Sequence, residues 1–134
     1  MIGIIAAMNS EYVLFKTKKN ELFNGTKYQI IKSGVGPRAA ANAALRLINS
    51  GCNTIVGWGF AGGLSGDLEC GQIIIANRFV IENNDYYSPT PLHQEFMKQL
   101  NPLNPCEGTI LASDKPIFSA KEKQYYAKKF NSVA

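Results

Sequence analysis

Residues 37–56 constrain the fold more than any other stretch. Pro37 stands where a helix prefers its first residue. An alanine-dense segment follows, carrying Leu45, Leu47 and Ile48, and Gly51 takes the position just past a helix end that favours glycine. Residues 54–56 then resume an apolar, β-branched run. An isoleucine-rich run at residues 2–7 opens the chain, as expected of a strand covered on both faces. Strand runs alternating with helical runs across short turns predict an α/β fold with a mainly parallel sheet.

The rest of the chain fits that alternation. Asn9 and Ser10 are candidate N-caps for a helix carrying Tyr12, Val13, Leu14 and Phe15 and fading at Lys18-Lys19. Asn24-Gly25 signals a hairpin joining residues 22–23 to a strand at 27–32. Further strands are expected at 72–81 and 109–112, with a polar turn at 82–85, and helices at 92–100 and 120–130. Ser132-Val133-Ala134 has the character of another strand beginning, which suggests that the sequence is the front part of something longer. The 134 residues hold no repeat and no linker, so they are expected to form a single domain over 1–134.

Composition excludes several classes. At 46% hydrophobic the chain is not disordered, and no apolar run reaches the ~18–20 residues that span a bilayer. The N-terminus reads as a first strand rather than a signal peptide. Cys52, Cys70 and Cys106 are odd in number and widely spaced, which excludes a disulfide framework and a cysteine zinc site and points to the cytoplasm. His93, the only histidine, has no partners at ligand spacing and reads as a surface residue, so no metal is expected. The net charge of +4 is that of residues 115–134, where five lysines face Glu122 alone. These lysines alternate with Tyr125, Tyr126, Ala127 and Phe130, as on the wet face of an amphipathic helix, and no nucleic acid is required.

Residues 57–62, G-W-G-F-A-G, match G-x-G-x-x-G after a strand, and Glu82 lies twenty residues on. A dinucleotide fingerprint must also open a helix, whose amides face the pyrophosphate. Gly62 is instead followed by Gly63, Leu64, Ser65, Gly66 and Asp67 with no helical period, so the match is a decoy. These glycines serve either tight turns or the close approach of bare backbone to a small ligand.

The order M-I-G-I-I-A-A-M-N-S-E, S-G-V-G-P-R-A-A and G-W-G-F-A-G-G-L-S-G-D-L-E-C-G-Q-I-I-I-A resembles the purine nucleoside phosphorylase and nucleosidase superfamily, which includes the methylthioadenosine/S-adenosylhomocysteine nucleosidases. G-T-I-L-A-S-D-K-P-I-F-S-A-K-E-K is most similar to the hopanoid-associated phosphorylases, held to release adenine from adenosylhopane. The resemblance covers nearly the whole chain. It implies a three-layer nucleoside-phosphorylase-like α/β fold with a mixed, mainly parallel central sheet, of which the C-terminal part follows Ala134. It also implies a cytoplasmic homodimer acting on a small purine nucleoside without a cofactor. In the superfamily, a V-D-M-E-S-type motif continuing from Val133-Ala134 clamps the ribose and a later aspartate is the general acid. A chain ending at Ala134 would lack both, leaving a catalytically inactive nucleoside binder as the alternative.

By the same resemblance Glu11 corresponds to the glutamate that holds the attacking water. A residue-level alternative is a carboxylate that merely favours the first turn of its own helix. Gly59, Phe60, Ala61 and Gly62 correspond to backbone passing along the nucleoside, with Phe60 where serine is common and Gly57 where many phosphorylases carry a phosphate-gripping arginine. Ser113 and Asp114 correspond to the loop reading the purine edge, with a plain turn or capping role as the alternative for Asp114. Pro116 replaces a phenylalanine that stacks on adenine in the methylthioadenosine nucleosidases, and Ile117 keeps an apolar wall. Ser33, Gly34 and Gly36 before the Pro37 helix form either an anion site, strengthened by Arg38, or a plain strand-to-helix turn. Trp58 is expected in the core or at a subunit interface, and Tyr86-Tyr87 in loop packing or at a pocket mouth.

Overall fold

The computed structural model describes residues 1–16, 26–81, 86–87, 92–113 and 115–134. The Asn24-Gly25 hairpin, the 82–85 turn and Asp114 lie outside them. The chain divides into two compact units, Met1–Phe60 and Ala61–Ala134.

The first unit is built on β1 (Ile2–Ala6), α1 (Asn9–Lys16), β2 (Tyr28–Lys32), α2 (Pro37–Asn49) and β3 (Thr54–Trp58). Its sheet has the order β2-β1-β3, and both pairings are parallel. Helix α2 runs from Pro37 as anticipated, and Gly51 adopts φ +88° just past its end. Ala43 and Leu47, four residues apart on one face, are buried, and α2 packs on β1. Burying Leu47 completely contributes about 1.5–3 kcal/mol. Gly3 accommodates that contact: a Cβ there would lie 2.9 Å from Ile55 Cδ1 and 3.1 Å from Leu47 Cβ.

Helix α1 begins differently from the expectation. Its first i→i+4 bond runs from the Tyr12 N–H to the Met8 carbonyl, so Met8 holds the N-cap position and Asn9 and Ser10 stand inside the first turn. The polar cap comes instead from Glu11, described below.

The second unit holds β4 (Ile74–Ile81), β5 (Tyr86–Tyr87), α3 (Leu92–Leu100) with a 3-10 turn at Asn101–Leu103, β6 (Cys106–Ala112) and α4 (Ala120–Phe130). Its sheet has the order β5-β4-β6, with β4 parallel to β6 and antiparallel to β5. Strand β6 starts three residues before the expected 109, because Cys106, Glu107 and Gly108 pair with Ile74, Ile75 and Ala76. Residues 132–134 lay a parallel ladder along the free side of β6: Val133 N–H donates to Thr109 O and Leu111 N–H to Ala134 O. The expected beginning of a strand at 132–134 is therefore present. Gly108 makes room for it, since a Cβ there would meet the Val133 side chain, 2.9 Å from Cγ1.

Leu64, Val80 and Leu111 form the core of this unit, with Ile117, Tyr126, Ala127 and Phe130 packed against them. Helix α4 carries a full capping box: Ser119 Oγ accepts from the Glu122 N–H, and the Glu122 side chain accepts from the Ser119 N–H. The helix ends at Asn131, which takes the left-handed conformation favoured by asparagine after a last turn. Among the described residues no helix is long and apolar enough to cross a membrane.

Candidate active site

Glu11 organises the carboxyl end of the first sheet. It is 2% exposed and lies in the first turn of α1, directly after β1. Its Oε2 accepts from the Met8 N–H at 2.8 Å and the Ala7 N–H at 2.9 Å. The bond to Met8 is the reciprocal half of a capping box, made by a glutamate three residues past the N-cap. Oε1 reaches across to the segment after β3 and accepts from the Phe60 N–H at 2.8 Å. The helix-capping reading and the site reading of Glu11 are thus one geometry, with the long-range bond to Phe60 added.

Gly59 is what allows that bond. A Cβ at position 59 would stand 2.7 Å from Glu11 Oε1 and 3.1 Å from its Cδ. The carboxylate is pinned by three amides and has no room to give way. A carboxylate offers about four acceptor positions. Among the described residues three are taken, two on Oε2 and one on Oε1.

Ser33 joins the same edge from β2. Its N–H donates to Ala6 O at 2.9 Å and its hydroxyl to Gly34 O at 2.8 Å. Gly34 (φ +86°) and Gly36 (φ +103°) form the turn, and Gly36 is the N-cap of α2 with no side-chain cap. Arg38 is exposed in the first turn. Glu11, Gly59, Phe60 and Ser33 are thus gathered outside the carboxyl ends of parallel strands, where α/β sheets bind ligands. Phe60 contributes its N–H while its side chain is 67% exposed, and Ala61 and Gly62 are exposed. Trp58 is not in the core: it is 43% exposed and meets Phe15 edge-on at 5.7 Å.

The remaining candidates belong to the second unit. Ser113 Oγ donates to Lys115 O at 2.8 Å and accepts from the Lys115 N–H at 3.3 Å, so this hydroxyl shapes its own loop. Pro116 is exposed, and Ile117 packs against the Leu64–Val80–Leu111 core. The parts that sequence reasoning missed are backbone donors, the amides of Ala7 and Met8. Their one signal was a glutamate three residues after Met8. No helix occurs between residues 59 and 73, which removes the context that a dinucleotide fingerprint requires. Among the described residues no group of three His, Cys, Asp or Glu side chains could hold a metal ion.

Solved structures share this architecture. The chain is similar to a 5'-methylthioadenosine/S-adenosylhomocysteine nucleosidase of Helicobacter pylori bound to butyl-thio-DADMe-Immucillin-A, with TM-score 0.89 and 18% identity over 99% of this chain and 72% of that one. It matches a futalosine hydrolase mutant of the same organism with TM-score 0.86 and 17% identity over 99% and 76% of the two chains. A putative 5'-methylthioadenosine/S-adenosylhomocysteine nucleosidase of Francisella philomiragia gives TM-score 0.83 at 26% identity over 99% and 73%. The profile of the phosphorylase superfamily matches residues 2–134. Nearly every residue falls within that match, and the chain belongs to the phosphorylase superfamily.

Proposed function

We infer that this protein cleaves the N-glycosidic bond of an adenosyl nucleoside, releasing adenine, with water as the attacking group. The observation that carries the reading is the Glu11 carboxylate, buried at the carboxyl edge of a parallel sheet and fixed by three backbone amides. Cleavage passes through an oxocarbenium-like sugar, which needs a positioned nucleophile on one face and a protonated leaving base on the other. A carboxylate already held by amides does not have to reorganise as charge develops. A second acceptor position on Oε1 would orient the attacking water.

Two residues favour water over phosphate. Gly57 offers no side chain where many phosphorylases grip phosphate, and Phe60 supplies no hydroxyl. By the resemblance, the 59–62 backbone would pass along the sugar. The apolar Phe60 and the D-K-P-I stretch support placement near the hopanoid-associated branch, with adenosylhopane-like compounds as substrates. The reading takes the protein as a cytoplasmic homodimer, as the resemblance implies.

The test is base release, followed by chromatography, from S-adenosylhomocysteine, 5'-methylthioadenosine, futalosine and an adenosyl compound with a long apolar 5' chain, each with and without phosphate. Phosphate-independent adenine release, fastest from the apolar compound, is expected. Release that requires phosphate overturns the hydrolytic reading. Adenine binding with no turnover of any substrate identifies a nucleoside-binding protein instead.

A further inference from the structure

Helix α4 turns one face to the second unit's core, and among the described residues its other face is exposed. Tyr126, Ala127 and Phe130 pack inward. Lys121, Tyr125, Lys128 and Lys129 are exposed, at the i, i+4, i+7, i+8 spacing of one helical face. Lys129 Nζ lies 5.4 Å from the centroid of the Tyr125 ring, which places both on that face. Glu122, the only acid of residues 115–134, is occupied in the helix cap, accepting from Ser119 Oγ at 2.6 Å. Phe118 immediately precedes the cap and is 83% exposed. A residue there would ordinarily pack on an apolar side chain four places past the cap. That position holds Lys123, so the pairing has no second member. Lys115, just upstream, is exposed as well.

We propose that this lysine and aromatic face is a reversible docking surface for an anionic lipid bilayer, with the lysines at the headgroup layer and Phe118 entering the interface. Charge complementarity is the first argument, because the whole formal excess of +4 is found in residues 115–134. The choice of cation is the second. The segment contains lysine and no arginine, and compact hydrated ammonium groups suit a diffuse headgroup layer. The guanidinium fork, over-represented where discrete phosphates are gripped bidentately, is absent from the segment. An exposed phenylalanine beside lysines is the composition of an interfacial anchor. The proposal stands independently of the nucleosidase reading.

Vesicle co-sedimentation tests it with the intact protein. Binding to equimolar phosphatidylglycerol/phosphatidylcholine vesicles is expected, with none to phosphatidylcholine alone, and salt should release it as the Debye length shrinks. Each lysine near an anionic surface contributes roughly fivefold to partitioning, so K121E/K128E/K129E should weaken binding by ~100-fold or more. F118S should weaken it by about tenfold, as expected for losing a buried aromatic side chain. Unchanged circular dichroism shows that the variants fold. If the reversed-charge protein does not fold, K121Q/K128Q/K129Q reads the same loss. Equal sedimentation with neutral and anionic vesicles overturns the proposal, as does parental binding by the lysine variants. A single-stranded oligonucleotide that binds tighter than the vesicles and displaces them overturns it in favour of a nucleic-acid face.

Discussion

In the first unit, the segment that follows a parallel strand is fastened by a side chain. The Glu11 carboxylate ties the β1–α1 turn to the backbone after β3 through three amides. In the second unit the long-range fastening is mostly backbone, with the Arg78 guanidinium donating to Phe130 O at 2.6 Å as a side-chain tie. The Val133 carbonyl takes the amides of Leu64 and Ser65, and residues 132–134 exchange hydrogen bonds with β6. A side-chain fastener retains chemistry of its own, since a carboxylate offers more acceptor positions than these three amides use. A backbone fastener spends its groups on structure. The contrast explains why the carboxyl-terminal edge of the first sheet reads as a candidate active site.

The largest test of that contrast is Glu11→Gln. The amide nitrogen would face an N–H donor instead of accepting from it, so turnover should fall at least ~100-fold, accompanied by ~1–3 kcal/mol of lost stability. Steady-state rates and chemical denaturation measure the two effects, and near-parental turnover would remove Glu11 from the mechanism. Gly59→Ala comes next. Its Cβ would intrude on Oε1, so the Phe60 bond should break and stability drop by about 1–3 kcal/mol, with turnover following Glu11. Gly62→Ala is the matched control. Nothing lies within 4 Å of a Cβ there, and a change within ~0.5 kcal/mol is expected.

The second unit should respond in stability without a catalytic signature. Gly108→Ala forces a methyl against Val133 and should cost ~1–3 kcal/mol. Hydrogen exchange should accelerate at the Leu111 amide, while turnover per folded molecule is retained. A selective loss of turnover would erase the distinction between the two fastenings. Ser119→Ala removes the cap of α4 and should cost about 1 kcal/mol in thermal or denaturant unfolding.

Local chemistry made much of the fold legible. Pro37 and Gly51 bracket α2, and the lysine and aromatic alternation marks α4 over Ala120–Phe130. The first three residues of β6 were not legible. Cys106, Glu107 and Gly108 carry no strand pattern, and they are a strand because β4 pairs with them. Asn9 and Ser10 have the composition of caps, yet the cap position falls on Met8 because Glu11 supplies the acceptor from inside the helix. Trp58 has the composition of a core residue and is half exposed, against Phe15. At the site, an acid just past the first strand was visible in sequence. Its grip on Phe60, forty-nine residues away, was not.

Residue order alone determined the α/β class, the parallel pairing, most helix limits and the failure of G-W-G-F-A-G as a dinucleotide fingerprint. The helix limits and the fingerprint's failure follow from contacts within a few residues, and the class and parallel pairing from the alternation of strand and helix runs. Tertiary structure decided which backbone amides Glu11 holds and why Gly59 has no side chain, and it placed residues 132–134 beside β6. Those are contacts between segments far apart in the chain, and the amides involved belong to every residue alike, so no residue type announces them.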